Sequence, residues 1–308
     1  MTIYFEKKVF IAKRESVYGT DVTPAGSDAV LAHDLTIVPF ENTGVSRKPA
    51  TPWFRAAERL PAGVHVSTEF FVEAAGSGTK DTAPGYSALL RACGLAETIT
   101  ADTDVAYDPV SAGFDSLSAY FYLDGTRQKL LGWRGNVKFE AKANEVPKFR
   151  FSGRALYGGP SATAFPTPDF STYQSPLIVN KVNTPTFSLL GFSPVLDTIE
   201  IDLGQQVAHR DKVGSESVLI TGRAPTGRVV IEAPALGSKD YFAAAKANTI
   251  GTLSLIHGTA DGAKVQVSGP AVKVHNPRYS NDNGVTMLEM DLDLLPDTGD
   301  DEIQFKTL

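Results

Sequence analysis

The sequence predicts a mainly β protein made of two tandem β-sandwich or barrel-like domains. Each domain has one flanking α-helix, and the two are related by internal duplication. Three observations carry this. Apolar residues recur mostly at period two, which places them on one face of a strand. Only two segments have helical periodicity. The elements also run twice in the same order.

Leu35–Val38 opens the first clear extended run. In Val64–Val72, residues Val64, Val66, Phe70 and Val72 alternate against His65, Ser67 and Glu69. Leu117–Leu123 ends at Asp124-Gly125, a hairpin dipeptide whose glycine supplies the positive φ such a turn needs. Runs rich in β-branched and aromatic residues predict further strands at 137–141, 148–152, 199–203, 217–221, 228–232, 252–257, 264–267, 272–275 and 286–294. The first helix is expected over 84–94: Pro84 lies near its start, Tyr86, Leu89, Leu90 and Cys93 share a face, and Gly94 fits the C′ position. The second is expected over 238–248. There Ser238 can cap, Asp240 suits the positive end of the dipole, and Tyr241–Ala247 favours helix.

The duplication is read from five matches in shared order. Tyr86-Ser87-Ala88-Leu89-Leu90-Arg91-Ala92 corresponds to Tyr241-Phe242-Ala243-Ala244-Ala245-Lys246-Ala247. The strands before the helices end alike, in Phe71-Val72-Glu73-Ala74 and Val230-Ile231-Glu232-Ala233. Leu123-Asp124-Gly125-Thr126 matches Ile256-His257-Gly258-Thr259, Val137-Lys138-Phe139 matches Val272-Lys273-Val274, and Leu35-Thr36-Ile37 matches Ile199-Glu200-Ile201. The expected organisation is a first domain at 1–157, a linker at 158–176 and a second domain at 177–308. The linker holds Pro160, Pro166, Pro168 and Pro176. Fully extended it would span about 60 Å, enough to join domains that do not touch face to face.

Length and composition agree with this. The chain has 308 residues and a formal charge of −6, and 42% of it is hydrophobic, enough for a real core. The acidic balance argues against broad nucleic-acid binding. No apolar run approaches the 18–20 or so residues of a membrane span, so no membrane association is expected. The start lacks the pattern of a secretory leader. The single cysteine, Cys93, excludes an intrachain disulfide and a cysteine-cluster zinc site; on the apolar face of its helix it reads as a buried structural thiol.

Catalytic patterns are missing. His33, His65, His209, His257 and His275 form no close metal pair and read as surface or turn residues. Gly76-Ser77-Gly78-Thr79-Lys80 lacks a P-loop ending and reads as a turn, and Gly214-Ser215-Glu216-Ser217 is not a nucleophile elbow. Asp297–Glu302 has no calcium-loop spacing and reads as a solvated acidic segment. Neither an enzyme activity nor a cofactor is expected.

One charge pattern remains. In 286–294, Glu289, Asp291 and Asp293 fall on one strand face and Leu288, Met290, Leu292 and Leu294 on the other. The first-half counterpart carries Lys148 and Arg150. Three readings stay open: an ordinary wet sheet face, an anionic wall past which a polyanion slides, or a basic face of one half set against an acidic face of the other. Trp53 and Phe54 lie in a loop, 41–62, ill suited to burying them, and exposed aromatics at loop tips commonly anchor interfaces. Folding back over the local core is the alternative.

The chain resembles the major tail tube proteins of long, non-contractile-tailed bacteriophages. The carrying segments are Lys13–Asp21 (KRESVYGTD), Gly78–Gly94 with its TAPGYSALLRACG run, Val179–Phe187 (VNKVNTPTF) and Val213–Thr221 (VGSESVLIT). The resemblance implies tail-tube-like β domains whose sheets join edge to edge into rings. The rings would stack into a tube, with a typically acidic lumen, that conducts double-stranded DNA without specific binding. It further implies a virion protein made in the host cytoplasm, with partners in copies of itself, the tape-measure protein and other tail proteins. Glu289, Asp291, Asp293, Glu200 and Asp202 then become candidate lumen-facing acids. Trp53, Phe54, Lys148, Arg150, His209 and Arg210 become candidate inter-subunit or inter-ring contacts. Single-domain relatives form six-membered rings, so a duplicated chain implies a trimeric ring with pseudo-sixfold symmetry. A non-enzymatic carbohydrate- or ligand-binding tandem β-sandwich, or another tail component such as a minor tail protein, is the alternative.

Overall fold

The computed structural model describes residues 2–308. Strands hold 54% of the residues and helices 5%, which makes the protein mainly β. The first half contains β1 (Lys8–Arg14), β2 (Ala29–Val30), β3 (His33–Arg47), β4 (Glu58–Glu73), α1 (Ser87–Ala92), β5 (Leu95–Thr100), β6 (Asp104–Pro109), β7 (Leu117–Leu123), β8 (Thr126–Lys142) and β9 (Lys148–Ala162). The second contains β10 (Thr186–Leu189), β11 (Leu196–Asp202), β12 (Gln205–Lys212), β13 (Ser215–Arg223), β14 (Thr226–Glu232), α2 (Tyr241–Lys246), β15 (Gly251–His257), β16 (Val265–Asp282), β17 (Val285–Leu295) and β18 (Gln304–Thr307).

Antiparallel pairing runs β1-β7-β8-β9-β4-β3 in the first half and β10-β15-β16-β17-β14-β11 in the second. The two orders agree strand for strand. Register agrees as well. Thr36 and Ile37 face Glu69 and Thr68 as Glu200 and Ile201 face Arg228 and Gly227. A bulge falls between Leu117 and Ala119 opposite β8, and between Gly251 and Leu253 opposite β16. Two sequence matches shift. Counted from the bulges, Leu123 corresponds to His257 rather than to Ile256. Trp133 stands opposite Leu117 as Val272 stands opposite Gly251, so Val272 corresponds to Trp133 rather than to Val137. Past a bulge between His275 and Arg278, Lys138 and Phe139 then correspond to Arg278 and Tyr279, which face Glu289 and Leu288 as Lys138 and Phe139 face Arg150 and Phe149. Residue-type matching cannot see an inserted residue.

The halves do touch. β7 covers one edge of β8 only as far as Trp133, and on that same edge β11 pairs with residues 138–142. One sheet of 16 strands therefore crosses both halves, with the β12–β13 hairpin as a separate pair. A single apolar cluster joins Phe139, Phe149 and Phe151 to Ile199, Ile231, Met290 and Phe305. The proline-rich segment is no free tether. Residues 158–162 are strand in β9, the Asp169 amide donates to the Gly26 carbonyl at 2.9 Å, and Val179 is buried and exchanges backbone bonds with Asn144 and Glu145.

Local chemistry explains the elements. Asp124 (φ 34°) and Gly125 (φ 90°) turn β7 into β8, and Asn283 (φ 49°) and Gly284 (φ 88°) turn β16 into β17, as an Asn-Gly pair favours. Both helices are shorter than their periodicity suggests. Gly94, at φ 78°, follows α1 as expected. Asp240, not Ser238, caps α2: its Oδ1 accepts from the Ala243 amide at 2.8 Å, because the turn over 235–238 ends before the helix starts. The fully buried Trp133 donates from Nε1 to Thr68 Oγ1 at 2.9 Å and lies against Gly153, where a Cβ would come within 2.4 Å of the indole. A side chain there would overpack the β8–β9 ribbon at a cost of about 1–3 kcal/mol.

Candidate functional site: a charged sheet face and its open edges

The apolar face of the shared sheet makes the core. Its other face carries charge in rows, because residues in register on neighbouring strands share a face. One row crosses β4, β9, β8, β11, β14, β17 and β16 as Phe71, Arg150, Lys138, Asp202, Thr226, Asp293 and Lys273. The next runs Glu73, Lys148, Glu140, Glu200, Arg228, Asp291 and His275. Glu289 extends the face beside Arg278. The fold thus brings together Glu200, Asp202, Glu289, Asp291, Asp293, Lys148 and Arg150. The basic and acidic groups lie side by side on one face, not on opposed faces.

The strand that looks purely anionic in sequence is interleaved with bases. Arg228 and Arg278 both pair with Glu289, and the Arg278 hydrogen bond leads in holding its carboxyl below the usual range. His275 Nε2 lies 3.2 Å from Asp293. Across the junction, Glu140 and Glu200 stand directly opposite each other. Lys138 lies between them, 2.7 Å from Glu200 and 3.6 Å from Glu140. Burial pushes Glu140 up, but the Arg150 hydrogen bond and the charges of Arg150, Lys138 and Lys148 outweigh it, and its carboxyl titrates below the usual range.

Two hairpin arms extend from this sheet. β3 and β4 form the longer, and Trp53 and Phe54 sit in the loop at its tip, strongly exposed. They do not fold back over the core. The second arm, β12–β13, lies across β4, β8 and β9 of the first half. His209 stacks on His65 with ring centroids 4.7 Å apart and hydrogen-bonds Glu216 at 3.0 Å, so it is engaged within the chain, while Arg210 is exposed. The Gln205 side chain donates to the Cys93 carbonyl at 3.0 Å. Cys93 itself is fully buried, and burial drives its thiol pKa upward.

Residues that sequence reading did not single out hold this arm. Glu15 is buried and accepts from Ser116 Oγ (2.6 Å), Ser118 Oγ (2.9 Å) and the amides of Gly19 (2.7 Å) and Gly132 (2.8 Å). That fixes the 15–20 loop, which carries Tyr18 to Val218 on β13. Glu15 and Tyr18 lie in Lys13–Asp21, the first segment of the family resemblance. The acidic segment 297–302 is engaged too: Arg223 Nη2 reaches Asp300 at 2.7 Å and Glu302 at 2.9 Å. His257 is buried between Thr184 Oγ1 (2.9 Å) and the Leu177 carbonyl (3.1 Å), and burial lowers its pKa. It is not the surface or turn residue expected.

Among the described residues, no group of three or more His, Cys, Asp or Glu is placed to hold a metal ion, and no helix is long and apolar enough to cross a membrane. A family model described as phage tail tube protein matches residues 6–302. The chain belongs to the phage tail tube protein family. It is a component of the virion tail. No curated protein matches the chain. For a tail tube protein, the projecting arms are parts available for contact with other tail proteins.

Proposed function

We propose that three copies of this tail tube protein close head-to-tail into a ring with pseudo-sixfold symmetry, and that rings stack into a tube whose lumen conducts DNA. The observation that carries this reading is the identical pairing order of the two halves, together with the β8–β11 strand pair that joins them. One chain would then be two consecutive tube domains, roughly 1–157 and 177–308, related by duplication and strapped together by the segment between them. A heterologous contact of this kind closes into a ring when its rotation divides a full turn. The role is structural rather than enzymatic, and the other partners are the tape-measure protein and further tail proteins.

The charged sheet face would line the lumen. Its carboxylates are interleaved with bases, so the wall offers duplex DNA no continuous basic track and little counterion-release binding. Trp53 and Phe54, at the tip of the long arm, would reach the neighbouring ring. Native mass of isolated rings, with averaged end-on images, tests the count. Three chains per ring support it, and six full chains overturn it.

A further inference from the structure

Two strand edges that are paired inside the chain at one junction lie open at the equivalent places. β11 docks on β8 as Ile199 on Ala141, Glu200 on Glu140, Ile201 on Phe139 and Asp202 on Lys138. By register, the first-half counterpart of β11 is Leu35–Val38 of β3, and the counterpart of 138–141 on β8 is Arg278–Asn281 of β16. Among the described residues, β3 pairs only with β4, and β16 beyond Val272 pairs only with β17. The receiving position is uncovered: Phe139 is 0% exposed, whereas its counterpart Tyr279 is 60% exposed. Val38, on the donor edge, is 45% exposed.

We infer that Leu35–Val38 of one copy pairs antiparallel with Arg278–Asn281 of the next, in the register of the intramolecular joint. Leu35 then faces Asn281, Thr36 faces Ser280, Ile37 faces Tyr279 and Val38 faces Arg278. The occupant is a second copy of this chain, because the chain already holds this pairing once. An unpaired edge exposes N–H and C=O groups that a neighbouring strand satisfies. The ladder ends at Asp34, whose left-handed backbone (φ 49°) breaks the extended run before it would face Asp282. The β11–β14 pairing shifts register near the equivalent place, between Leu196 and Thr198, as β3–β4 does between His33 and Thr36. Tyr279, now packed against Phe242 at 5.2 Å on its core side, would be covered by Ile37 as Phe139 is covered by Ile201. The inference rests on the ring reading and deepens it by naming the strands and their register.

Paired cysteines test it. Opposed residues in an antiparallel ladder have Cα atoms about 4.5–5.5 Å apart, within disulfide reach. The only native cysteine, Cys93, is 0% exposed and does not compete. Thr36→Cys with Ser280→Cys should give covalent multimers on mild oxidation of assembled protein, while either single variant and the off-register pair Thr36→Cys with Arg278→Cys should not. On the unsubstituted protein, amides in 35–38 and 278–281 should exchange about tenfold or more slowly in rings than in unassembled chains. Tubes that form with no link and no slowing of these amides overturn the register and leave the ring reading standing. Unsubstituted protein that forms no rings removes both.

Discussion

The Val218 amide donates to the Tyr18 hydroxyl oxygen at 2.5 Å, across the boundary between the two halves. Arg134 backs the contact from both sides: its guanidinium lies 4.7 Å from the Tyr18 ring and donates to the Val218 carbonyl at 3.0 Å. Burial raises the Tyr18 pKa, so the hydroxyl stays neutral through physiological pH. Tyr18→Phe keeps the ring over Arg134 and removes the acceptor, leaving the buried Val218 amide unpaired. The expected loss is about 1–2 kcal/mol, read as a lower Tm, with faster hydrogen exchange confined to β12 and β13.

Lys138 is the keystone of the internal joint. Lys138→Gln leaves Glu140 and Glu200 facing each other across β8 and β11 with the bridging charge gone, at an expected cost of about 1–2 kcal/mol near pH 7. The pH dependence identifies the cause. In the unsubstituted protein, Glu140 titrates below its usual value, so its contribution is present above about pH 4.5 and is lost as pH falls through the folded pKa. In the variant that contribution is diminished and the pair repels, so the stability gap between the two proteins should narrow as pH drops below about 4.5. Chemical denaturation from pH 7 to about pH 3 measures it, and a gap independent of pH would point to lost packing instead.

Much of this architecture is legible in the sequence where the signal is local. Alternation in 64–72 and 286–294 marks β4 and β17, Asp124-Gly125 marks the β7–β8 turn, and the match of Leu35-Thr36-Ile37 to Ile199-Glu200-Ile201 survives in the pairing register. The missed features are non-local. β1, β10 and β18 are short strands defined by partners far along the chain, and β16 reads as two runs because the irregularity opposite Gly251 and Leu253 interrupts its period. The charged face shows the same limit. Glu289, Asp291 and Asp293 are visible as one face of one strand, but their pairing with Arg228, Arg278 and His275 depends on which strands lie beside β17.

Trp53 and Phe54 separate folding from assembly. Trp53 is 67% exposed and Phe54 fully so, and the nearest hydrogen bond, from Thr51 Oγ1 to the Trp53 carbonyl, involves no indole or ring atom. Trp53→Ala with Phe54→Ala should change stability by no more than about 0.5 kcal/mol, as for surface sites generally. If the arm tip anchors the next ring, tube length and yield in electron micrographs should fall while single rings persist. Loss of soluble folded protein would instead assign the two aromatics a part in the fold.

The charged face sets how DNA passes, if it lines the lumen. Asp202, Asp291 and Asp293 stand opposite Lys138, Arg228 or His275, and Lys273 in the two charge rows. Replacing all three with Asn keeps shape and hydrogen-bonding capacity and leaves those bases in excess. Phosphates would then be held by counterion release, a term that weakens steeply with added salt. Virions carrying Asp202→Asn, Asp291→Asn and Asp293→Asn should release DNA more slowly than the parent at low ionic strength and converge on it as salt rises. Normal tubes with unchanged release at every salt concentration would put this face away from the DNA path, and failure to form tubes would make the three carboxylates assembly contacts.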